Sequence, residues 1–137
     1  MFQKIEVISK IFRPLEVVYE AYNHPDDVTK WNHASDDWHS PHAENDLRVG
    51  GSFKYRMEAK DGSFGFDFGG VYDVVTHDRI FYHMSDGREV EVKFKNYGNY
   101  TIVHITFDAE KTNPIDLQKE GWQSILDNFK GYVETYK

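Results

Sequence analysis

The chain has 137 residues, 39% hydrophobic and 16% aromatic, which is enough for one domain with a sizeable core and too short for two. With 16 Lys and Arg against 23 Asp and Glu the net charge is -7, so no overall positive field attracts a phosphate backbone and nucleic acid is not an expected partner. Cysteine is absent, which removes disulfides, thiolate metal ligands and cysteine nucleophiles.

The opening run Phe2-Gln3-Lys4-Ile5-Glu6 carries charge where a secretory leader needs an apolar stretch, and no run of about 18 apolar residues occurs. Membrane insertion is not expected, and the expected location is the cytoplasm. Ile5, Val7 and Ile11 share one parity and Lys4, Glu6 and Lys10 the other, which predicts a strand over 4–12. Pro14 suits a first helical turn, and Leu15, Val18 and Tyr22 follow at helical spacing until Asn23-His24-Pro25, giving a helix over 14–22. Pro25 with Asp26 and Asp27 opens a second helix reaching Trp31, because carboxylates favour the positive end of the helix dipole. From Asn32 to Glu44 no periodicity survives, and the segment reads as a loop.

Strands are expected at 45–49, 52–60, 63–76, 79–84, 88–96 and 100–109. Asp61-Gly62 and Asp86-Gly87 are hairpin signals and Asn96-Tyr97-Gly98-Asn99 a longer one, so the sheet is an antiparallel meander. After Gly50-Gly51, Phe53, Tyr55, Met57 and Ala59 alternate with Lys54, Arg56, Glu58 and Lys60, the pattern of a strand covered on one face and wet on the other. Gly69-Gly70 inside a strand pattern marks a bend or bulge. Thr112-Asn113-Pro114 is expected to cap a long helix, about 114 to 136, whose residues Trp122, Ile125, Leu126, Phe129, Val133 and Tyr136 make one apolar face for the concave sheet. Gly121 within it costs about 1 kcal/mol against alanine, which would make sense if a strand or the bulky Trp122 needs close approach.

The segment from Trp31 to His42 holds His33, His39, His42, Asp36, Asp37, Trp31 and Trp38. Three or four imidazole and carboxylate groups must converge to hold a metal, and density in a loop does not supply that geometry, so no metal is assigned. The segment reads first as a polar entrance loop. Beside that reading, Trp31, His33, Trp38 and His39 are candidates for contacting the polar head of a ligand, and His33 or His39 with Asp36 or Asp37 for general acid–base work. The aromatic set Phe53, Tyr55, Met57, Phe64, Phe66, Phe68 and Tyr72 either packs a core or lines a ligand cavity, with Trp122, Ile125, Leu126 and Phe129 as the opposite wall. An inward hydroxyl on Tyr55 or Tyr72 needs a partner and supplies a polar handle. The facing of His83 and His104 stays open, because Ile80 to Met84 is apolar on both parities. There is no phosphate-binding glycine loop, nucleophile elbow or HExxH helix, and Gly50-Gly51 leads into a strand, so no cofactor is expected.

The order strand, two helices, six strands, long helix makes an α+β helix-grip fold, a curved antiparallel sheet around a C-terminal helix. It resembles the START-like superfamily, also described as SRPBCC or Bet v 1-like, over nearly the whole chain, which is read as a single domain over 1–137. The closest resemblance is to the activator of heat-shock-protein-ninety ATPase homologue family. It is carried by Pro14-Leu15-Glu16-Val17-Val18-Tyr19-Glu20-Ala21-Tyr22, Pro25 with Trp31, Asp46-Leu47-Arg48-Val49-Gly50-Gly51, and Glu120-Gly121-Trp122 leading into Leu126. The resemblance implies an internal cavity between sheet and last helix. Eukaryotic co-chaperones of that family carry a separate N-terminal domain, whereas this sequence starts directly with the first strand, so a chaperone partner is not expected. Where many relatives have a plainer tryptophan-glycine-proline segment, the Trp31 to His42 stretch stands as a source of the protein's own specificity.

The expected function is binding of a small apolar or aromatic, lipid-like ligand. Two alternatives stand beside it: a cyclase, dehydratase or hydrolase using the loop His and Asp, and a co-chaperone-like interaction module, which requires an exposed apolar patch. A tyrosine- and phenylalanine-rich sheet edge also leaves room for a homodimer.

Overall fold

A computed structural model describes residues 2–137. The elements run β1 (Lys4–Ile11), α1 (Leu15–Asn23), α2 (Pro25–Trp31), β2 (Trp38–Asn45), β3 (Ser52–Ala59), β4 (Gly65–Val75), β5 (Arg79–His83), β6 (Glu89–Asn96), β7 (Thr101–Asp108) and α3 (Ile115–Tyr136). The strands form one antiparallel sheet in the order β1-β7-β6-β5-β4-β3-β2. β2 through β7 is a meander, as the short turns predict, while α1 and α2 carry the chain from one sheet edge to the other. The fold is the expected α+β helix grip.

The stretch from Asn32 to Glu44 is not a loop throughout. Its second half is the edge strand β2, which ends at Asn45, and residues 46–49, expected as strand, lie in the turn into β3. One face of this strand is touched by α2, but burial does not alternate regularly along it. Here the register also slips between His39 and His42, around Pro41, a residue that edge strands tolerate and central strands do not. Ser40 is buried at that slip and donates its hydroxyl to the Arg56 carbonyl at 2.7 Å.

The opposite edge is closed by side chains of α3. Gln123 accepts from Ile8 N and donates to Ile8 O, Lys130 donates to Lys10 O at 2.7 Å, and Glu134 accepts from Phe12 N at 2.9 Å. Backbone groups that would otherwise invite another strand are thereby occupied. The same contacts fix α3 along β1. Leu126, Phe129 and Val133 are then buried on the sheet, and the Trp31 ring meets Phe129 at 4.7 Å while its indole N–H donates to Ala21 O. Tyr136, expected on the same apolar face, is 74% exposed, since it follows Glu134, the last helix residue to bond the β1 edge.

Two glycine expectations separate. A Cβ at Gly69 would lie 2.4 Å from Phe53 O, and one at Gly70 would lie 2.7 Å from His83 O, so both positions bring neighbouring backbones close where β4 curls. Register along β4 slips just after them, between Tyr72 and Val74. A Cβ on Gly121 meets nothing within 4 Å, so the close approach expected there does not occur. The expected cap at Thr112-Asn113-Pro114 also differs: Pro114 precedes the helix without a side-chain cap, and Gln118 folds back to donate to Asn113 O and Glu110 O and accept from Glu110 N. Gly121→Ala is therefore expected to stabilise the fold by about 0.5–1 kcal/mol. Gly69→Ala should destabilise it by at least about 1 kcal/mol through backbone collision. Urea titration of the two variants beside the parent reads both signs.

Candidate functional site

The sheet is wider than α3 can fill. Leu126, Phe129 and Val133 seat the C-terminal half of the helix, while its first half faces a hollow of about 370 Å³. Phe53, Tyr55 and Met57 of β3, Phe66, Phe68 and Tyr72 of β4, Ile80 and Tyr82 of β5 and Ile105 of β7 form the sheet wall. Trp122, Ile125 and Leu126 face them from α3. Tyr22, Asn23, Trp31 and Asn32 close the α1–α2 end, and Arg88, Glu110, Asn113 and Gln118 contribute beside the start of α3. Trp122 stands across the sheet: its ring stacks on Phe107 of β7 at 3.9 Å and meets Phe68 of β4 edge-on at 5.8 Å.

Most of the polar groups in this wall are phenols and amides. Tyr72 donates to Asn45 Oδ1 at 2.6 Å, and Asn45 Nδ2 donates to Asn23 O at 2.8 Å, so the Tyr72 handle is held by protein. Burial pushes the Tyr22, Tyr55, Tyr72 and Tyr82 hydroxyls up from the ordinary phenol value, and Tyr72 and Tyr22 raise Tyr55 further. All four stay neutral at physiological pH. Asn32 is 6% exposed and its Nδ2 has no hydrogen-bond partner. Glu110 is the one carboxylate in the wall among the described residues, and Arg88 is its one cation.

Ten of the residues singled out from sequence lie in the wall: Trp31, Phe53, Tyr55, Met57, Phe66, Phe68, Tyr72, Trp122, Ile125 and Leu126. Phe129 lies behind it, completely buried against Trp31 and Tyr22. Phe64 and Trp38 do not reach it. Phe64 precedes the first residue of β4 and is 61% exposed, with its ring on Trp38 at 6.0 Å and Phe66 at 6.2 Å, so these three rings form an aromatic patch at the end of the sheet.

The loop histidines also lie elsewhere. His39 pairs in register with Glu58 on the face opposite Met57 and Ala59, 3.6 Å from its carboxylate. His42 is exposed beside Glu44, and Asp37 accepts from Ser35 Oγ at 2.5 Å. His33 and Asp36 line a separate shallow cleft with Asp127 and Asn128. There His33 Nε2 lies 3.1 Å from Asn128 Nδ2, Nδ1 is buried without a partner, and burial, followed by the charge of Lys60, lowers the imidazole below its ordinary value. His83 and His104 point outward to Asp73 at 2.8 Å and Glu6 at 3.0 Å, so His83 is not an inward base. Among the described residues no three His, Asp or Glu side chains converge as metal ligands.

Several wall residues escaped the sequence reading. Ile80 and Tyr82 carried a usable signal, because they pair with Val92 and Val90 of β6, whose alternation with Glu89, Glu91 and Lys93 fixes the inward face. Tyr22 read only as a helix-packing residue. Asn23, Asn32, Arg88, Glu110, Asn113 and Gln118 sit at element ends, where no periodicity indicates which way a side chain points.

A curled antiparallel sheet gripping one long helix defines the START-like, or SRPBCC, class. Residues 13–134 match the family described as Activator of Hsp90 ATPase homolog 1-like protein, and the chain belongs to that family. It is similar to the AHSA1-like protein from Aeromonas hydrophila, solved by NMR, at 47% identity and TM-score 0.90, covering 97% of this chain and 93% of that one. A protein from Cytophaga hutchinsonii is 47% identical at TM-score 0.83 over 96% of this chain and 92% of its own. One from Chromobacterium violaceum shares the fold at 23% identity and TM-score 0.83, over 96% and 98%. No curated protein matches significantly. No helix among the described residues is long and apolar enough to cross a membrane.

The raised phenols give a pH dependence of known sign. Each of the four has a higher pKa folded than unfolded, so its contribution to stability is complete below the unfolded value of about 10 and is lost as pH rises beyond it. Tyrosinate absorbance during alkaline titration should therefore show at least four tyrosines that ionise only together with loss of the native circular dichroism. Ionisation of all nine tyrosines before unfolding would contradict this environment.

Proposed function

We propose that the protein binds a small apolar or aromatic molecule in the hollow between the sheet and the first half of α3. The observation that carries this reading is the hollow itself: about 370 Å³ lined by aromatic and aliphatic side chains that do not fill it. Protein interiors normally close to crystal-like density, and unfilled apolar space forfeits dispersion contacts on every side. A ligand restores those contacts, and its burial contributes about 25 cal/mol per Å² of apolar surface removed from water. The volume falls within the range of roughly 300–1,000 Å³ common to small-molecule sites. Phe66, which is 40% exposed, and the exposed Asn113 give the wall a solvent-facing rim for entry.

Binding is favoured over turnover by the placement of the acid–base candidates. His33 with Asp36 lines the separate cleft, His39 lies on the opposite sheet face, and Asp37 is engaged by Ser35. The co-chaperone reading draws on the family description alone.

Native mass spectrometry of protein purified from its source, followed by denaturation and identification of released molecules, should find an apolar or aromatic compound at one per chain. The site is checked by Ile125→Trp, which places a large ring into the hollow from α3. Nile red affinity should fall by roughly tenfold or more, that is about 1.4 kcal/mol, while the thermal midpoint of the free variant stays near or above the parent's. Unchanged Nile red binding in a folded Ile125→Trp variant would remove this hollow as the site.

A further inference from the structure

Apolar walls define how much of a ligand can be buried, and the polar atoms left unpaired in them define which functional group it carries. Asn32 is 94% buried by its 6% exposure and forms part of the wall, yet its Nδ2 has no partner. A buried amide donor without an acceptor costs free energy, so such groups are rare unless something else occupies them. Half a turn about the last side-chain bond exchanges the amide nitrogen and oxygen, and no protein hydrogen bond to Nδ2 is lost in doing so. The amide is therefore free to present an N–H to the hollow.

Tyr22 lies at the same end. Its ring stacks on Trp31, the residue before Asn32, at 5.2 Å, and both Tyr22 and Asn32 contribute to the wall. Burial raises the Tyr22 hydroxyl, so it remains a protonated donor beside the hollow. By contrast the Tyr72 donor is already committed to Asn45. Among the described residues the one cation of the wall is Arg88, which belongs to the β5–β6 turn and is held by Asp86 at 2.8 Å. An anionic head placed beside Asn32 would lose its hydration without gaining a counter-charge.

Building on the binding reading above, we propose that the α1–α2 end of the hollow recognises the carbonyl oxygen of an uncharged, largely apolar ligand, with the Asn32 amide and the Tyr22 hydroxyl as donors. A ketone, ester or lactone on an aromatic or alicyclic body has the required chemistry. A fatty acid or other carboxylate does not.

Three naphthalenes substituted at one ring position separate the alternatives: acetylnaphthalene, ethylnaphthalene and naphthoate, alike in size and differing in an acceptor and a charge. Competition with Nile red ranks them on the parent, Asn32→Leu and Tyr22→Phe chains. The parent should bind acetylnaphthalene about fivefold or more tightly than ethylnaphthalene, the scale of one or two neutral hydrogen bonds, and naphthoate most weakly. Asn32→Leu should erase the ketone's advantage over ethylnaphthalene, and a native circular dichroism spectrum certifies that the variant is folded. Tyr22→Phe should reduce that advantage if Asn32→Leu proves unstable. In amide correlation spectra the Asn32 side-chain NH2 resonances should move with acetylnaphthalene and stay in place with ethylnaphthalene. Equal binding of ketone and hydrocarbon, or tightest binding of naphthoate, overturns the carbonyl inference and leaves the hollow as a site. Failure of all three to displace Nile red from the hollow overturns the binding reading with it.

Discussion

One helix has to cover seven strands, and the rest of the molecule follows from how it does so. Helix α3 is tied along β1 by Gln123, Lys130 and Glu134, whose side chains occupy backbone groups of that edge strand. Those bonds place Leu126, Phe129 and Val133 on the sheet and bury them. The curl of β3 and β4 carries the far side of the sheet away from the helix axis, assisted by Gly69 and Gly70, where a side chain would strike the neighbouring backbone. The first half of α3 is left facing space. Trp122 spans part of it, stacked on Phe107 and edge-on to Phe68, so that the hollow keeps its width.

The hollow has a consistent chemical character. Its walls are aromatic and aliphatic, its polar groups are mostly phenols and amides, and burial keeps the phenols neutral. Among the described residues its charged groups are one carboxylate, Glu110, and one cation, Arg88. The histidines that give the sequence its most reactive appearance are turned away: His39, His83 and His104 each face a carboxylate on the outer surface of the sheet, and His33 closes a small polar cleft against Asn128. Membership in the Activator of Hsp90 ATPase homolog 1-like family accounts for the scaffold. The proposed carbonyl recognition places the specific chemistry on Asn32 and Tyr22, at the point where α1 and α2 meet the sheet.

Most of the fold was legible because its period-two and helical patterns are strong where one face is buried. Phe53, Tyr55 and Ala59 against Lys54 and Glu58, Val90, Val92 and Phe94 against Glu89, and Leu126, Phe129 and Val133 each repeat at the spacing of their element. The stretch from Trp38 to Asn45 does not read as a strand because Pro41 and the register slip between His39 and His42 break the alternation that its covered face would impose. Phe64 was misplaced for a related reason: parity continues past the end of a strand, whereas the sheet that would cover the ring does not.

The sequence by itself determined the order of elements, the inward set on the central strands, the apolar face of α3 and the absence of cysteine chemistry, since each depends on residue identity and local spacing. Tertiary structure decided what those features enclose. Whether aromatic side chains meet or stand apart depends on the distance between α3 and the curled strands, set by contacts between residues as far apart as Ile8 and Gln123. The tertiary structure also decided which polar groups face the hollow, because Tyr22, Asn32 and His33 lie within twelve positions in sequence, yet the turn after α2 sends Asn32 into the wall and His33 into a different cleft. Side-chain direction at an element's end is fixed by what packs against it, and that information is not local.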